Sequence, residues 1–446
     1  MDPLTLGLIG FGCALVMLAI RIPIAFTLAG VSTAFVFIIF ATRSGGFEVE
    51  RAIAPTLSMV FANTFDLVHS YDLSMIPLFV LLGHVAYHTG MTTDIYHAAR
   101  IWLMKVPGGV AMASVFGCGG FSAITGSSIA CASAMGKICC PEMLRAGYDQ
   151  RLATSTVAVG GTLGSLIPPS VLFIIYGIFT EMSINRLFLA GVIPGLLSLA
   201  GFLVVIYIWV KRNPEAAPIP DVQLVKGDRR KAAIKCWPAL TLFGIIIGGI
   251  YGGIFTATEA AAISAFVAVL VGVLQKKLNW KQFVQSVKET CTQTTSIFFI
   301  AAGAKIFVGF VALTGMAPAL VDIVESADVS LWLLLVMIAG VYLLLGMFLD
   351  PLGILVLTLP FLIPMVEGYG LDLVWFGVVV IKLLEISLIT PPVGLNVFVI
   401  ASVTTPAVKV YDIFMGVLRF LVMDIMVLIA LIAFPILSLL LPTTMF

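Results

Sequence analysis

Residues 106–149 run VPGGVAMASVFGCGGFSAITGSSIACASAMGKICCPEMLRAGYD, and residues 331–372 run LWLLLVMIAGVYLLLGMFLDPLGILVLTLPFLIPMVEGYGLD. Both are apolar, and both are broken near the middle. In the first, the run Val106–Cys140 is cut by Gly117, Gly119 and Gly120 and then by Thr125-Gly126-Ser127-Ser128. In the second, the run Leu331–Pro364 is cut by Gly346 and by Asp350-Pro351. A shift of 223 residues lays Ser127 on Asp350, Pro141 on Pro364, Gly147 on Gly370 and Asp149 on Asp372. The same shift lays Pro168-Pro169 on Pro391-Pro392. The string Ser165-Leu-Ile-Pro-Pro matches Ser387-Leu-Ile-Thr-Pro-Pro with one residue slipped, and Thr89-Gly90-Met91 resembles Thr314-Gly315-Met316 at a shift of 225. The chain therefore carries an internal repeat.

The surroundings of the repeat settle the class. Of 446 residues, 61% are hydrophobic and 11% are Asp, Glu, Lys or Arg. A soluble domain is about 25% charged, and a soluble chain of this length needs far more polar surface to cover its core. With a mean hydropathy of +1.14, the chain reads as an all-α polytopic membrane protein. That excludes a secreted disulfide scaffold, a disordered protein and a nucleic-acid binder. The net charge of +1 points to no acidic or basic partner other than the bilayer itself. The seven cysteines form no C-x-x-C pair and read as small apolar packing residues. Met1-Asp2-Pro3 lacks the positive start of a signal peptide, so the run from Leu4 to Ile20 is expected to be a span.

About 20 apolar residues cross the hydrocarbon as a helix. Full spans are expected at 4–20, 22–41, 73–90, 152–180, 188–210, 236–256, 258–274, 291–314, 376–403 and 418–441. Basic residues mark the cytoplasmic side. Sixteen of the 24 Lys and Arg fall in four segments on one side: around Arg100 and Lys105, around Lys137, Arg145 and Arg151, within Lys211–Lys235, and within Gln275–Thr290. The segments 317–328 and 365–373 carry Asp322, Glu325, Asp328, Glu367 and Asp372 and no Lys or Arg, so they face outward. Both termini are then expected outside. Each broken stretch has loops of like character at its two ends, so each enters and leaves on one side. These are expected re-entrant hairpins, 106–140 from the inside and 331–364 from the outside, with tips near mid-membrane.

The repeats are therefore inverted, an architecture of secondary transporters in which cargo and coupling ions bind where the broken helices meet. Non-helical backbone at that depth must be buried in protein or line a wet cavity. The first tip offers the hydroxyls of Ser122, Thr125, Ser127 and Ser128. It is expected to face the broken span Gly160–Ser170, where Pro168 and Pro169 interrupt the helical ladder and free carbonyls upstream. The second tip places Asp350 opposite Thr390–Asn396, with a carboxylate, a Thr390 oxygen and an Asn396 amide oxygen. Oxygen donors of this kind suit a hard cation such as Na⁺.

The matching blocks are long: IPLFVLLG (76–83), VPGGVAMASVFGCGGFSAITGSS (106–128), PEMLRAGYD (141–149), GTLGSLIPPSVLFIIYG (161–177), LFLAGVIPG (187–195), YGGIFTATEAAA (251–262), GMFLDPLGILVLTLPFLIP (346–364) and ITPPVGLNVFV (389–399). Through them the chain resembles, over essentially its whole length, the large membrane subunit of TRAP (tripartite ATP-independent periplasmic) transporters, the dicarboxylate-type permease family. The resemblance implies an elevator-type ion-transporter fold in a bacterial inner membrane. It implies import of a small organic acid driven by a Na⁺ gradient. It also implies two partners, a small four-helix membrane subunit and a periplasmic substrate-binding protein. By motif position, the first Na⁺ site would involve Ser122, Thr125, Gly126, Ser127, Gly164 and Pro169, and the second Gly346, Asp350, Thr390 and Gly394. Candidate substrate contacts are Ser128, Ser170, Asn396 and Lys382. Thr125-Gly126-Ser127 stands where Ser-Gly-Ser is usual, Ser387 where Gly is common, and Lys382-Leu383 where some members carry Val-Asn. The expected transport domain comprises 71–187 and 291–410, and the scaffold 1–70, 188–290 and 411–446.

Several polar residues have plainer readings. Asp350-Pro351 is also a good helix cap with Pro at the first position. Glu385 lies three residues from Lys382 on one helix, which favours a structural pair. Glu259 follows Thr256 by three residues, a capping box. Lys305 and Asp424 stand alone in apolar spans, with snorkelling, cross-helix pairing or a lining role all open. His84 and His88 are four apart without the glutamate between them that a metalloprotease helix needs, and read as interfacial. Gly160–Gly164 is followed by no Gly-Lys-Ser/Thr, so the chain encodes no ATPase, and no nucleophile–base pair supports an intramembrane enzyme. The alternative to the tripartite reading is a stand-alone Na⁺- or H⁺-coupled anion transporter needing no binding protein.

Overall fold

A computed structural model describes residues 2–43, 46–218 and 228–445, all helical or irregular with no strand among them. Lys226, counted above in the basic cytoplasmic segment, lies outside the described residues. The chain opens with α1 (Pro3–Ala19), α2 (Ile24–Thr42) and α3 (Val49–Val68). The first repeat follows: α4 (Met75–His88), α5 (Met91–Leu103), the hairpin α6 (Gly109–Thr125) and α7 (Ser128–Arg145), the broken span α8 (Gln150–Leu166) and α9 (Val171–Thr180), and α10 (Ile184–Arg212). A connecting region holds α11 (Asp228–Lys235), α12 (Trp237–Phe243), α13 (Gly249–Tyr251) and α14 (Ala257–Leu274), with a π-turn joining α12 to α13. The second repeat is α15 (Trp280–Thr314), α16 (Met316–Ser326), the hairpin α17 (Leu331–Gly346) and α18 (Pro351–Gly368), the broken span α19 (Leu373–Ser387) and α20 (Leu395–Val403), and α21 (Val410–Ala433). A short α22 (Ile436–Met445) ends the described chain.

The repeat holds residue by residue in backbone conformation. Gly90 and Gly315 both turn the chain with positive φ, +74° and +69°, and so do Gly147 and Gly370 at the hairpin exits, +80° and +67°. Asp149 caps α8 by accepting from the N–H groups of Arg151 and Leu152, and Asp372 caps α19 by accepting from Val374 and Trp375. Ser127 caps α7 and Asp350 caps α18, each through the N–H three residues on. Capping satisfies helix-end donors that lipid cannot. Pro168-Pro169 and Pro391-Pro392 are both cis.

Three features differ from the sequence reading. Helix α3 was not expected; Glu50, Arg51 and Asp66 dilute its hydropathy, while Ile53, Leu57, Phe61 and Phe65 form an exposed apolar stripe at helical spacing. Set against the repeat, α3 and α4 together match the single 35-residue α15, with a 55° bend between them where α15 is one continuous helix. The cytoplasmic stretch around Arg100 and Lys105 and the outward segment 317–328 contain the amphipathic helices α5 and α16. The last expected span is two helices, α21 and α22, parted near Pro435.

Packing gathers the helices into two groups. Helix α15 packs on α2, α3 and α4, and α14 packs on α4. Helices α6, α7, α10 and α21 all pack on α8, and α10 and α21 pack on each other and on α19. The two groups meet where α4 touches α6 and where α15 touches α18.

Candidate functional site

The first hairpin tip is seated on the first broken span by its backbone. Helix α6 ends at Gly126 with φ +62°, a region that costs other L-residues about 1–2 kcal/mol. A Cβ on Gly126 would lie 2.3 Å from the Pro169 carbonyl oxygen, and one on Gly164 2.9 Å from the Ser127–Ser128 peptide. The Val171 N–H donates to the Gly126 carbonyl at 3.3 Å. Hydroxyls complete the seam: Ser128 Oγ lies 2.5 Å from Ser165 Oγ and 3.3 Å from the Thr162 carbonyl, and Ser170 Oγ donates to the Ser165 carbonyl at 2.5 Å. Gly126, Ser127, Gly164 and Pro169 are thus brought together, with Ser128 and Ser170 beside them.

Ser122 and Thr125 point elsewhere. The Ser122 hydroxyl lies 3.5 Å from Cys131 Sγ between the hairpin arms, and its carbonyl accepts from the Gly126 N–H. Thr125 Oγ1 donates to the Phe121 carbonyl at 3.1 Å, and its side chain faces Gly83 of α4. The hydroxyls of both are therefore turned away from the break, Ser122 towards the partner arm and Thr125 back along its own helix, as the backward tilt of helical side chains favours.

At the second tip, Gly346 closes on the second broken span. A Cβ there would lie 2.1 Å from the Ser387 Cβ. Asp350 accepts from the Gly353 N–H at 3.2 Å, and Pro351 occupies the first helical position. Thr390 Oγ1 donates to the Ile386 carbonyl at 2.6 Å, and Gly394 turns the chain at φ +54°. Among the described residues no hydrogen bond joins Asp350 to Thr390 or Gly394. Asn396 is fully buried; its Nδ2 donates to the Ala158 carbonyl of α8 at 3.2 Å, while its Oδ1 has no partner among the described residues. An orphaned buried acceptor at the break is the kind of group a cation or water satisfies.

Both tips open on one cavity of about 670 Å³. Ser127, Ser128 and Ser165 line it from the first repeat, and Asp350, Pro351 and Leu388 from the second. The far wall is α15, through Gln285, Lys288, Glu289, Thr292, Gln293 and Ser296. Sequence reading missed that wall and the bridging Ser165. Its signal was present: the polar residues of α15 recur at three- and four-residue spacing, across the join between the segment read as a basic cytoplasmic loop (275–290) and the span read from 291. His84 of α4 lines the same cavity, with His88 one turn further along that helix. Both lie on Glu289, His84 Nδ1 at 3.1 Å and His88 Nε2 at 2.9 Å, and His84 Nε2 meets Gln293 Oε1 at 3.2 Å.

Lys382 does not reach this cavity. It is completely buried, with Nζ 2.6 Å from Asp424 Oδ1, 3.1 Å from Glu385 Oε2 and 2.9 Å from Ser198 Oγ. The expected substrate contact is a structural cation, because three acceptors surround an ammonium that no solvent reaches. The structure also answers the open question of Asp424, which pairs across helices. Lys305 lies 5.7 Å from the Phe179 ring and lines a separate cavity with Asp66, Asp72 and Glu181. Glu259 forms the expected capping box with Thr256.

The family described as "Tripartite ATP-independent periplasmic transporter, DctM component" matches residues 11–437. The chain belongs to this family. It is therefore a transport protein, a multi-pass membrane component and not an enzyme. Among its relatives, the TRAP transporter DctM component of Pseudomonas aeruginosa, a C4-dicarboxylate large permease, is 34% identical over 364 residues, covering 81% of this chain and 84% of that one. The large permease SiaM of the Vibrio cholerae sialic acid TRAP transporter is 32% identical over 424 residues and covers 94% of each. Among solved structures, the YdaH transporter of Alcanivorax borkumensis aligns with a TM-score of 0.64 at 14% identity, over 85% of this chain and 89% of that one. That likeness establishes the fold: this TRAP component shares its overall architecture with that transporter.

Proposed function

We propose that this TRAP component is the translocating subunit of a Na⁺-coupled importer for a small organic acid. The supporting observation is the shared cavity, because Ser127 and Asp350 line it from opposite hairpins. Na⁺ binds at each tip, the first at Gly126, Ser127, Gly164 and Pro169, the second at Gly346, Asp350, Thr390 and Gly394. Cation binding orders each tip against its broken span. It also offsets the charge of a carboxylate held between the tips, close to Ser128, Ser165 and Lys288. The two relatives above are named for a C4-dicarboxylate and a sialic acid, both carboxylates.

The moving body in this proposal is the group of helices around α8 and α19. It includes α10 and α21, placed in the scaffold by the sequence division at 188 and 411, because both pack on α8 and are tied to α19 through Lys382. Helices α2, α3, α14 and α15 form the static frame, which the small membrane subunit joins. Gln285 and Lys288 of the cavity lining fall in the basic segment 275–290, so in this proposal the arrangement is inward-facing in a bacterial inner membrane with both termini periplasmic. A periplasmic binding protein delivers the acid to the opposite side.

The test is uptake in proteoliposomes containing this subunit and a cognate small subunit, with a binding protein loaded with labelled organic acids. The proposal requires uptake that depends on both an inward Na⁺ gradient and the binding protein. Uptake with Na⁺ alone would replace it with the stand-alone reading, and uptake indifferent to Na⁺ would refute the coupling.

A further inference from the structure

The Lys382 cluster contains one cation and two carboxylates, and all three side chains are fully buried. If every group were ionised, a net charge of −1 would be sealed among apolar helices. An uncompensated charge in that setting is among the costliest arrangements a protein interior can hold. The orphaned atoms are also the wrong kind for full ionisation: Glu385 Oε1 and Asp424 Oδ2 are both buried without a hydrogen-bond partner among the described residues. Neither of the two cavities described above is lined by these residues.

No neighbouring group among the described residues supplies the missing charge. The helices packed on α19 are α8, α9, α10, α17, α18, α21 and α22. Their other charged residues are Arg151 on α8, Arg186, Lys211 and Arg212 on α10, Glu367 on α18, and Asp412 and Arg419 on α21, and among the described residues none of these forms an ion pair with the cluster. Arg151 is paired with Asp412, and Arg419 stacks on Trp209. Asp350 caps α18 at the hairpin tip. Tyr176 and Tyr342 are engaged with the Leu373 carbonyl and with Thr358. Phe202 offers Lys382 only a ring face, at 5.9 Å.

We infer that the cluster is a proton-binding site, with one proton completing its charge at neutral pH. The proton sits on Glu385. Asp424 makes the shorter contact with Lys382, 2.6 Å against 3.1 Å, and Coulomb attraction keeps the closer carboxylate ionised. The cluster is then Lys382 ammonium, Asp424 carboxylate and Glu385 carboxylic acid, neutral overall. This proton stands apart from the ions that drive transport. It lets one buried lysine bind α10, α19 and α21 into a single body.

The test is infrared difference spectroscopy of the purified subunit in lipid nanodiscs at neutral pH, reading the C=O stretch of protonated carboxylic acid. The wild type minus Glu385→Gln spectrum is expected to show one buried acid lost. Lys382→Met removes the only cation, so both carboxylates take protons and the acid signal from the cluster doubles. Thermal melting gives an independent readout. Glu385→Gln mimics the acid and melts with the wild type, whereas Asp424→Asn forces Lys382 to re-pair and melts lower. The proposal is overturned if Glu385→Gln removes no acid signal. It is equally overturned if Glu385→Gln melts well below Asp424→Asn. If Lys382→Met does not fold, the Glu385→Gln comparison decides alone.

Discussion

Gly126→Ala is the sharpest perturbation of the first tip. Two costs add. The left-handed backbone at φ +62° costs alanine about 1–2 kcal/mol. The new Cβ would also stand 2.3 Å from the Pro169 carbonyl, so one backbone must retreat, and forced overpacking costs about 1–3 kcal/mol. The seated tip is therefore penalised by roughly 2–5 kcal/mol relative to the unseated one. At about 1.4 kcal/mol per factor of ten, half-saturating Na⁺ for uptake should rise by roughly 30-fold or more. The assay is the Na⁺ dependence of uptake in proteoliposomes. Gly90→Ala is the matched control, because Gly90 has φ +74° but open space where a Cβ would go, and it lies far from the tip in sequence. It should lower thermal stability modestly and leave the Na⁺ dependence unchanged. If Gly126→Ala has the Na⁺ dependence of Gly90→Ala, the seam between Gly126 and Pro169 is not part of the ion site.

Other consequences follow from the same geometry. Asp350→Asn and Ser127→Ala should each weaken Na⁺ dependence while the protein still folds, since asparagine keeps an oxygen to cap α18 and losing the Ser127 hydroxyl costs the α7 cap only about 1 kcal/mol; equal Na⁺ dependence in both variants and the wild type removes the tips from the coupling mechanism. Ser165→Ala removes the hydroxyl 2.5 Å from Ser128, so it should slow uptake several-fold without unfolding the subunit, read by initial rates and a melting curve. Gln293→Leu puts an apolar side chain on the polar wall of the cavity and strips His84 of a partner. It should reduce uptake of a carboxylate, and unchanged initial rates would place the cargo elsewhere.

The fold was legible because the repeat is written in residues with strict conformational demands. Gly147 and Gly370, Asp149 and Asp372, and the two Pro-Pro pairs are turns, caps and breaks whose chemistry survives when the apolar sequence around them drifts. Ser127 and Asp350 differ chemically yet do the same job at a helix start, so the correspondence could be read across a Ser-to-Asp change. Helix α3 was not legible for the opposite reason. Glu50, Arg51 and Asp66 with its polar residues lower the average over the window, which conceals the apolar stripe. The polar face of α15 was hidden because half of it fell in a segment read as a basic loop and half in a span whose mean is apolar. Lys382 shows the limit of local reading: Glu385 is visible three residues away, but Ser198 and Asp424 arrive from helices far off in sequence. Only the packed structure shows that the lysine is spent on them and does not line the shared cavity.

The account rests on cation binding at the hairpin tips, and a Na⁺ titration of the purified subunit tests that most directly. A ligand that binds the folded state raises its melting temperature in proportion to the logarithm of its concentration above Kd. The account predicts that Na⁺ raises the melting temperature well beyond an equal concentration of K⁺, and that Asp350→Asn and Ser127→Ala each diminish the difference. Identical melting in Na⁺ and K⁺ would contradict it.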